Sequence, residues 1–123
     1  MVAMGFFGDK SEFGLEGSAI VRRVGPLVKH VKKGDAVLVS SQGLLCTRKV
    51  VSGDSCFPIF ANMSLEDAAT VACVYGTAIY SLLEVGNLRK GQSVLIHSAC
   101  GGVGLAAIQV CKAIGAEVCL IRR

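Results

Sequence analysis

The chain has 123 residues, 52% of them hydrophobic and 18% charged, with a net charge of +4 at neutral pH. That length is about one domain, and a mean hydropathy of +0.58 is high for a soluble domain, as if further chain or a partner covers part of it. The basic residues come as scattered pairs (Arg22-Arg23, Lys32-Lys33, Arg48-Lys49, Arg89-Lys90, Arg122-Arg123), and none of the five Phe and two Tyr alternates with them, so no nucleic-acid partner is expected.

Residues 1–14 show no clear period. Ser18 to Val24 reads as a strand that ends at the turn Gly25-Pro26. Lys32-Lys33-Gly34-Asp35 is a second turn, Ala36 to Val39 a short strand, and Leu44 to Val51 a further one. Short strands between glycine-containing turns predict a small antiparallel barrel or sandwich. The character changes near residue 60. Ser64 suits a helix N-cap, Glu66 and Asp67 suit the first turn, and Leu65, Ala68, Ala69 and Ala72 form a helical face. Tyr75 to Leu83 continues as helix, with Gly76 marking a break or a close approach. After the turn Arg89-Lys90-Gly91-Gln92, Ser93 to His97 reads as a strand buried on both faces. Leu105 to Ile114 reads as a helix apolar nearly all round, closed by Gly115, and Glu117 to Ile121 as the next strand. Strand, helix and strand in this span make a βαβ unit with a parallel pair.

The cysteines at 46, 56, 73, 100, 111 and 119 contain no C-x-x-C, and the two histidines, His30 and His97, lie far apart, so no metal site is expected. Most of these cysteines sit in apolar runs as small hydrophobes. With no secretory signal in MVAMGFFGDK, a reducing, cytoplasmic location is expected. Gly91 to Cys111 carries no formal charge, yet His97, Ser98, Gln109 and three close glycines argue against a membrane helix.

The chemistry-bearing stretch is SACGGVGL, Ser98 to Leu105. Its phase is Ala99-x-Gly101-Gly102-Val103-Gly104, a variant of the dinucleotide fingerprint with Ala in the first place. Gly101 would let the backbone approach a phosphate, Gly104 would let helix and strand pack closely, and the helix N-terminus would face a pyrophosphate. The alternative is a tight strand-to-helix turn without a ligand. Beyond Ile121 there is no acid for a ribose hydroxyl. Arg122-Arg123 either suit the 2′-phosphate of NADP or form a solvated end.

Together with Gly14 to Gly17, Val24-Gly25-Pro26, Lys33 to Val37 and Leu65 to Thr70, the stretches YGTAIYSL (Tyr75 to Leu82) and IHSACGGVGLAAIQ (Ile96 to Gln109) resemble the enoyl reductase domain of fungal highly reducing polyketide synthases. That domain belongs to the zinc-free, quinone-oxidoreductase-like branch of the medium-chain dehydrogenase/reductases. The resemblance covers nearly the whole chain and is weakest over Leu44 to Asn62. It implies an α/β fold: part of a GroES-like β-barrel over residues 1–60, then over 61–123 the first βαβ unit of a Rossmann domain, with the cofactor in the cleft between the two. It also implies sequence before Met1 and on the order of a hundred residues or more after Arg123, so the chain reads as an internal piece.

By the same resemblance the activity is reduction of an α,β-unsaturated thioester on an acyl carrier protein, within the rest of the synthase chain, with NADPH as cofactor. NADPH gives hydride to the β-carbon, and the enolate is then protonated at the α-carbon. Ala99, Cys100, Gly101, Gly102, Val103 and Gly104 would form the phosphate loop, Thr77 would contact the nicotinamide end, and Tyr75 would line the substrate cleft. Taken on residue type alone, Thr77 would bond its own backbone, Tyr75 and Tyr80 would pack in a core, and His97 would be a hydrogen-bonded structural residue rather than a general acid. Glu16 matches a family position that is structural here, and Cys100 a small residue of the turn. The family's proton donors fall beyond Arg123, so no catalytic acid is named. Two readings follow: a segment of an NADPH-dependent enoyl reductase, or a non-catalytic remnant or binding module, with the isolated chain inactive in either case.

Overall fold

The computed structural model describes residues 12–121, and its first sheet is set by an alternation in β2 (Ala36–Ser40), where Val37 and Val39 are buried. Period-2 burial is what a strand with one covered face requires. β1 (Glu16–Ile20) runs antiparallel to β2 on one side, with Gly17 opposite Val39 and Ala19 opposite Val37. β3 (Cys56–Pro58) runs antiparallel on the other, with Cys56 opposite Val39. Pro58, which has no N–H to give a further ladder, suits this edge. Val31, Val37, Val39 and Cys56 form the core of this unit, with Val21, Val28, Leu44 and Val51 packed against it.

The sheet departs from the sequence expectation in two places. The strand expected to reach Val24 ends at Ile20, where the chain turns into the 21–35 connection. That connection is closed by Val21 N–H to Asp35 O and Gly34 N–H to Val21 O, both 2.9 Å. The strand expected over Leu44 to Val51 does not form. Gly43 is left-handed (φ 71°), the Leu45 N–H goes to Phe13 O, and Leu45 and Val50 are 82% and 91% exposed. The β2 edge that such a strand would need is already paired with β3.

α1 (Leu65–Ala68) starts where the sequence places it. Ser64 Oγ accepts the Asp67 N–H at 3.0 Å, and the Asp67 carboxylate accepts the Ser64 hydroxyl at 2.8 Å. Ser18 Oγ on β1 donates to Leu65 O at 2.6 Å. Glu16 Oε2, also on β1, accepts the N–H of Cys73 at 2.7 Å. These long-range bonds tie residues 61–73 to the sheet. The chain divides into compact units of Met1–Cys73 and Val74–Arg123. Glu16 caps an N–H in the first turn of α2 (Ala72–Ile79), which otherwise has no acceptor. We expect Glu16→Ala to lower stability by about 2 kcal/mol in urea unfolding, and Glu16→Gln, which keeps an acceptor, to lower it less.

In the second unit α2 runs unbroken through Gly76, where an added Cβ would meet nothing within 4 Å. The irregularity comes later, in the π-helical turn Tyr80–Val85, closed by Gly86 N–H to Ser81 O at 2.9 Å. β4 (Ser93–His97) and β5 (Glu117–Ile121) pair in parallel, Ser93 opposite Glu117 through His97 opposite Ile121. α3 (Gly102–Ile114) crosses between them and ends at left-handed Gly115 (φ 76°), whose N–H returns to Cys111 O and Lys112 O. Ala78, Ile96, Ala99, Ala106, Ala107, Val110 and Cys111 are buried together, with Val94 and Val118 packed against them. β4 was expected to be buried on both faces, but among the described residues a layer covers one face only. Ile96 is buried and Leu95 is 53% exposed. Likewise α3 buries Ala106, Ala107, Val110 and Cys111 while Val103 and Leu105 stay open.

Candidate functional site

The glycine stretch forms the turn between β4 and α3. The chain leaves β4 at His97, and Ser98 takes a left-handed conformation (φ 54°). Gly101 N–H then closes a turn on Ser98 O at 3.0 Å. This explains how Ala occupies the first place of the fingerprint. The residue that needs the left-handed region is Ser98, one place earlier, while Ala99 is buried in the core. Nothing in the residue types singles out Ser98, since left-handed backbone is usually given to Gly or Asn.

Gly104 has the role expected of the last glycine. A Cβ built there would stand 2.6 Å from Ser98 O and 2.7 Å from Ala99 Cα, distances that side-chain atoms do not tolerate against backbone. Gly102 is tight in a softer way, with 3.2 Å from such a Cβ to Val74 Cγ1. At Gly101 the nearest atom would be Ser98 O at 3.4 Å, and its backbone (φ −80°, ψ 164°) is open to any residue. Sterics of the fold alone therefore require glycine at 104 and give no cause for glycine at 101.

The first bond that closes α3 runs from Leu105 N–H to Gly101 O at 2.8 Å. The N–H groups of Gly102, Val103 and Gly104 thus have no acceptor within the helix, and no side chain caps this end. Gly101, Gly102, Val103 and Cys100 are exposed. A helix of this length brings the positive end of its dipole to the same place. The residues present suit a pyrophosphate: free donors, a positive end, and no side chain on two successive residues to hold an anion away.

The other site residues are less closely drawn. Tyr75 is half-buried and packs on the second core, as its residue type alone suggests. Thr77 is exposed on α2. Among the described residues Thr70, not Thr77, returns its hydroxyl to the helix backbone, at 2.8 Å from Asp67 O. His97 is exposed at the end of β4. Arg122 and Arg123 lie outside the described residues. No cluster of potential metal ligands occurs among the described residues, and none of their helices is long and apolar enough to cross a membrane.

No protein-family model matches the chain. Among curated proteins it is similar to a highly reducing polyketide synthase of Glarea lozoyensis, 49% identical over 119 residues, which is 96% of this chain and 5% of the synthase. Further synthases so described are 41% to 50% identical. The chain thus spans about a twentieth of the length of the relatives it matches. Among solved structures, the CurK enoyl reductase superposes with a TM-score of 0.82 at 33% identity, over 90% of this chain and 34% of that one. A mycobacterial protein solved in complex with NADPH superposes with a TM-score of 0.78 at 28% identity, over 87% and 34%. The mixed α/β fold is that of the medium-chain dehydrogenase/reductases, and its pieces accord with a GroES-like portion followed by a Rossmann portion.

Proposed function

We propose that this chain, a homologue of a segment of the highly reducing polyketide synthases with the fold of the medium-chain enoyl reductases, is the part of an NADPH-dependent enoyl reductase that holds the cofactor's pyrophosphate. In this reading the first compact unit belongs to the GroES-like barrel and the second opens the Rossmann domain. The reaction is reduction of an α,β-unsaturated acyl thioester carried on an acyl carrier protein, in the cytoplasm.

The observation that carries the reading is the turn itself. Glycine at 101 has no steric cause inside the fold, and three N–H groups stand free beside it. Those of Gly102, Val103 and Gly104 would bind phosphate oxygens, and Ala99 and Cys100 would complete the loop. Thr77, with an exposed hydroxyl side chain, would orient the nicotinamide end, and Tyr75 would line the substrate cleft. Bound there, NADPH would supply hydride for the β-carbon of the thioester. Among this chain's own residues none is assigned the proton delivered to the α-carbon.

In the intact protein, a crotonyl thioester should be reduced with NADPH and at least about tenfold less efficiently with NADH, since a 2′-phosphate contact contributes a charge-assisted bond. A polypeptide limited to these 123 residues should show no turnover. NADPH binding without turnover in the intact protein would favour the non-catalytic reading, and no binding would end both.

A further inference from the structure

Two basic pairs that lie apart in sequence meet in the first unit. Arg22, Arg23, Lys29, Lys32 and Lys33 line one shallow, open groove of about 650 Å³, with Val28 and Val31 between them. All five cations are exposed. Among the described residues the ion pair formed is Lys49 with Glu12, outside this groove. The one carboxylate in the stretch is Asp35, whose Oδ2 accepts the Lys32 N–H at 2.9 Å and so serves the turn. From Arg22 to Asp35 the net charge equals the +4 of the whole chain.

The groove is also held in shape. His30 Nε2 lies 3.1 Å from Gly53 O and 3.0 Å from Cys56 O, which pins the connection to the strand beneath it. Lys29 Nζ donates to Pro26 O at 2.9 Å. Beside the groove, in the Pro26–Val28 turn, Leu27 is 90% exposed. An exposed aliphatic side chain beside five exposed cations, none of them ion-paired among the described residues, is the surface an acidic protein face needs. The groove offers no aromatic ring on which a base could stack. Val24, Val28 and Val31 lie between its cations.

We propose that this groove docks an acidic face of the carrier domain that presents the acyl thioester. The inference rests on the enoyl reductase reading. Docking by exposed charge acts on encounter rather than on chemistry. The effect should therefore appear in KM for a carrier-bound substrate and be absent for a small one.

The test compares the intact protein with Arg22→Glu/Arg23→Glu and Lys32→Glu/Lys33→Glu double variants. Each is assayed on a crotonyl group attached to the carrier domain and on the same group attached to N-acetylcysteamine. We expect KM for the carrier-bound substrate to rise about tenfold or more in each variant, with kcat unchanged, and the small thioester to be reduced as before. In the unsubstituted protein that KM should climb with salt, which keeps the proposal testable if a variant does not fold. A KM for carrier substrate that ignores both salt and charge reversal, or parallel losses on both substrates, overturns it. So does a groove that instead binds duplex DNA or anionic vesicles while KM stays unchanged. If the unsubstituted protein reduces neither thioester, the enoyl reductase reading itself has failed; turnover that persists with an unresponsive KM fails the docking alone.

Discussion

Gly104→Ala is expected to weaken cofactor binding and to destabilise the second unit at once. The added methyl would lie 2.6 Å from Ser98 O and within 2.8 Å of two Ala99 backbone atoms, none of which can rotate away. Relief requires α3 to back off the turn. That exposes Ala106, Ala107 and Cys111, which are now buried against the rest of the core. Overpacking of this kind costs about 1–3 kcal/mol, visible as a lowered denaturant midpoint. The same shift moves the N–H groups of Gly102 and Val103 from where they could meet a phosphate together. NADPH affinity should fall by at least about tenfold, the equivalent of one charge-assisted bond. Gly101→Ala separates the two effects. Its backbone accepts a side chain and its nearest neighbour would be 3.4 Å away, so folding should be almost unchanged. Its methyl, however, would stand where the phosphate is to approach. A Gly101→Ala protein that folds and binds NADPH normally would remove the pyrophosphate from this turn.

Which parts of this were readable from sequence follows from how local each signal is. The β4–turn–α3–β5 unit was readable because its determinants lie within a few residues of one another. An apolar run ends in closely spaced glycines, a glycine stops the helix, and each acts on its own neighbourhood. The Ser64 cap was readable for the same reason. The strand expected over Leu44 to Val51 was not formed because apolar content does not report which sheet edge is free, and the β2 edge belongs to Cys56–Pro58. The bonds from Ser18 to Leu65 and from Cys73 to Glu16, which hold residues 61–73 on the first sheet, join distant residues and leave no local signal. The left-handed residue of the turn was missed because a serine carries it. That Arg22-Arg23 and Lys32-Lys33 share a surface was not legible, because the chain must turn back at Gly25–Val28 and close through Gly34 N–H to Val21 O before the two pairs meet.

Alkylation should divide the six cysteines and then mark the site. Cys46, Cys100 and Cys119 are exposed, Cys56 and Cys111 are buried, and Cys73 is half-buried. Burial pushes the thiols of Cys56, Cys73 and Cys111 up, and at Cys73 the neighbouring Glu16 carboxylate pushes further in the same direction. The thiolate is the reactive form. At neutral pH an alkylating reagent should therefore label the exposed three first and leave Cys56, Cys73 and Cys111 largely intact, as peptide mass spectrometry would show. The sign for stability follows too. A thiol raised in the folded state is still protonated when its unfolded counterpart has ionised. The folded form is then disfavoured as pH rises through and above the ordinary thiol range of about 8.5, and the thermal midpoint should fall there. The functional part of the experiment repeats the labelling with saturating NADPH. Cys100 stands in the loop beside the free N–H groups of α3, so a bound pyrophosphate should slow its alkylation at least about tenfold. Cys46, in the other unit, should react as before and serve as the internal standard. Protection of Cys100 that NADPH gives and Gly104→Ala removes would tie the cofactor to this turn, and equal rates with and without NADPH would detach it.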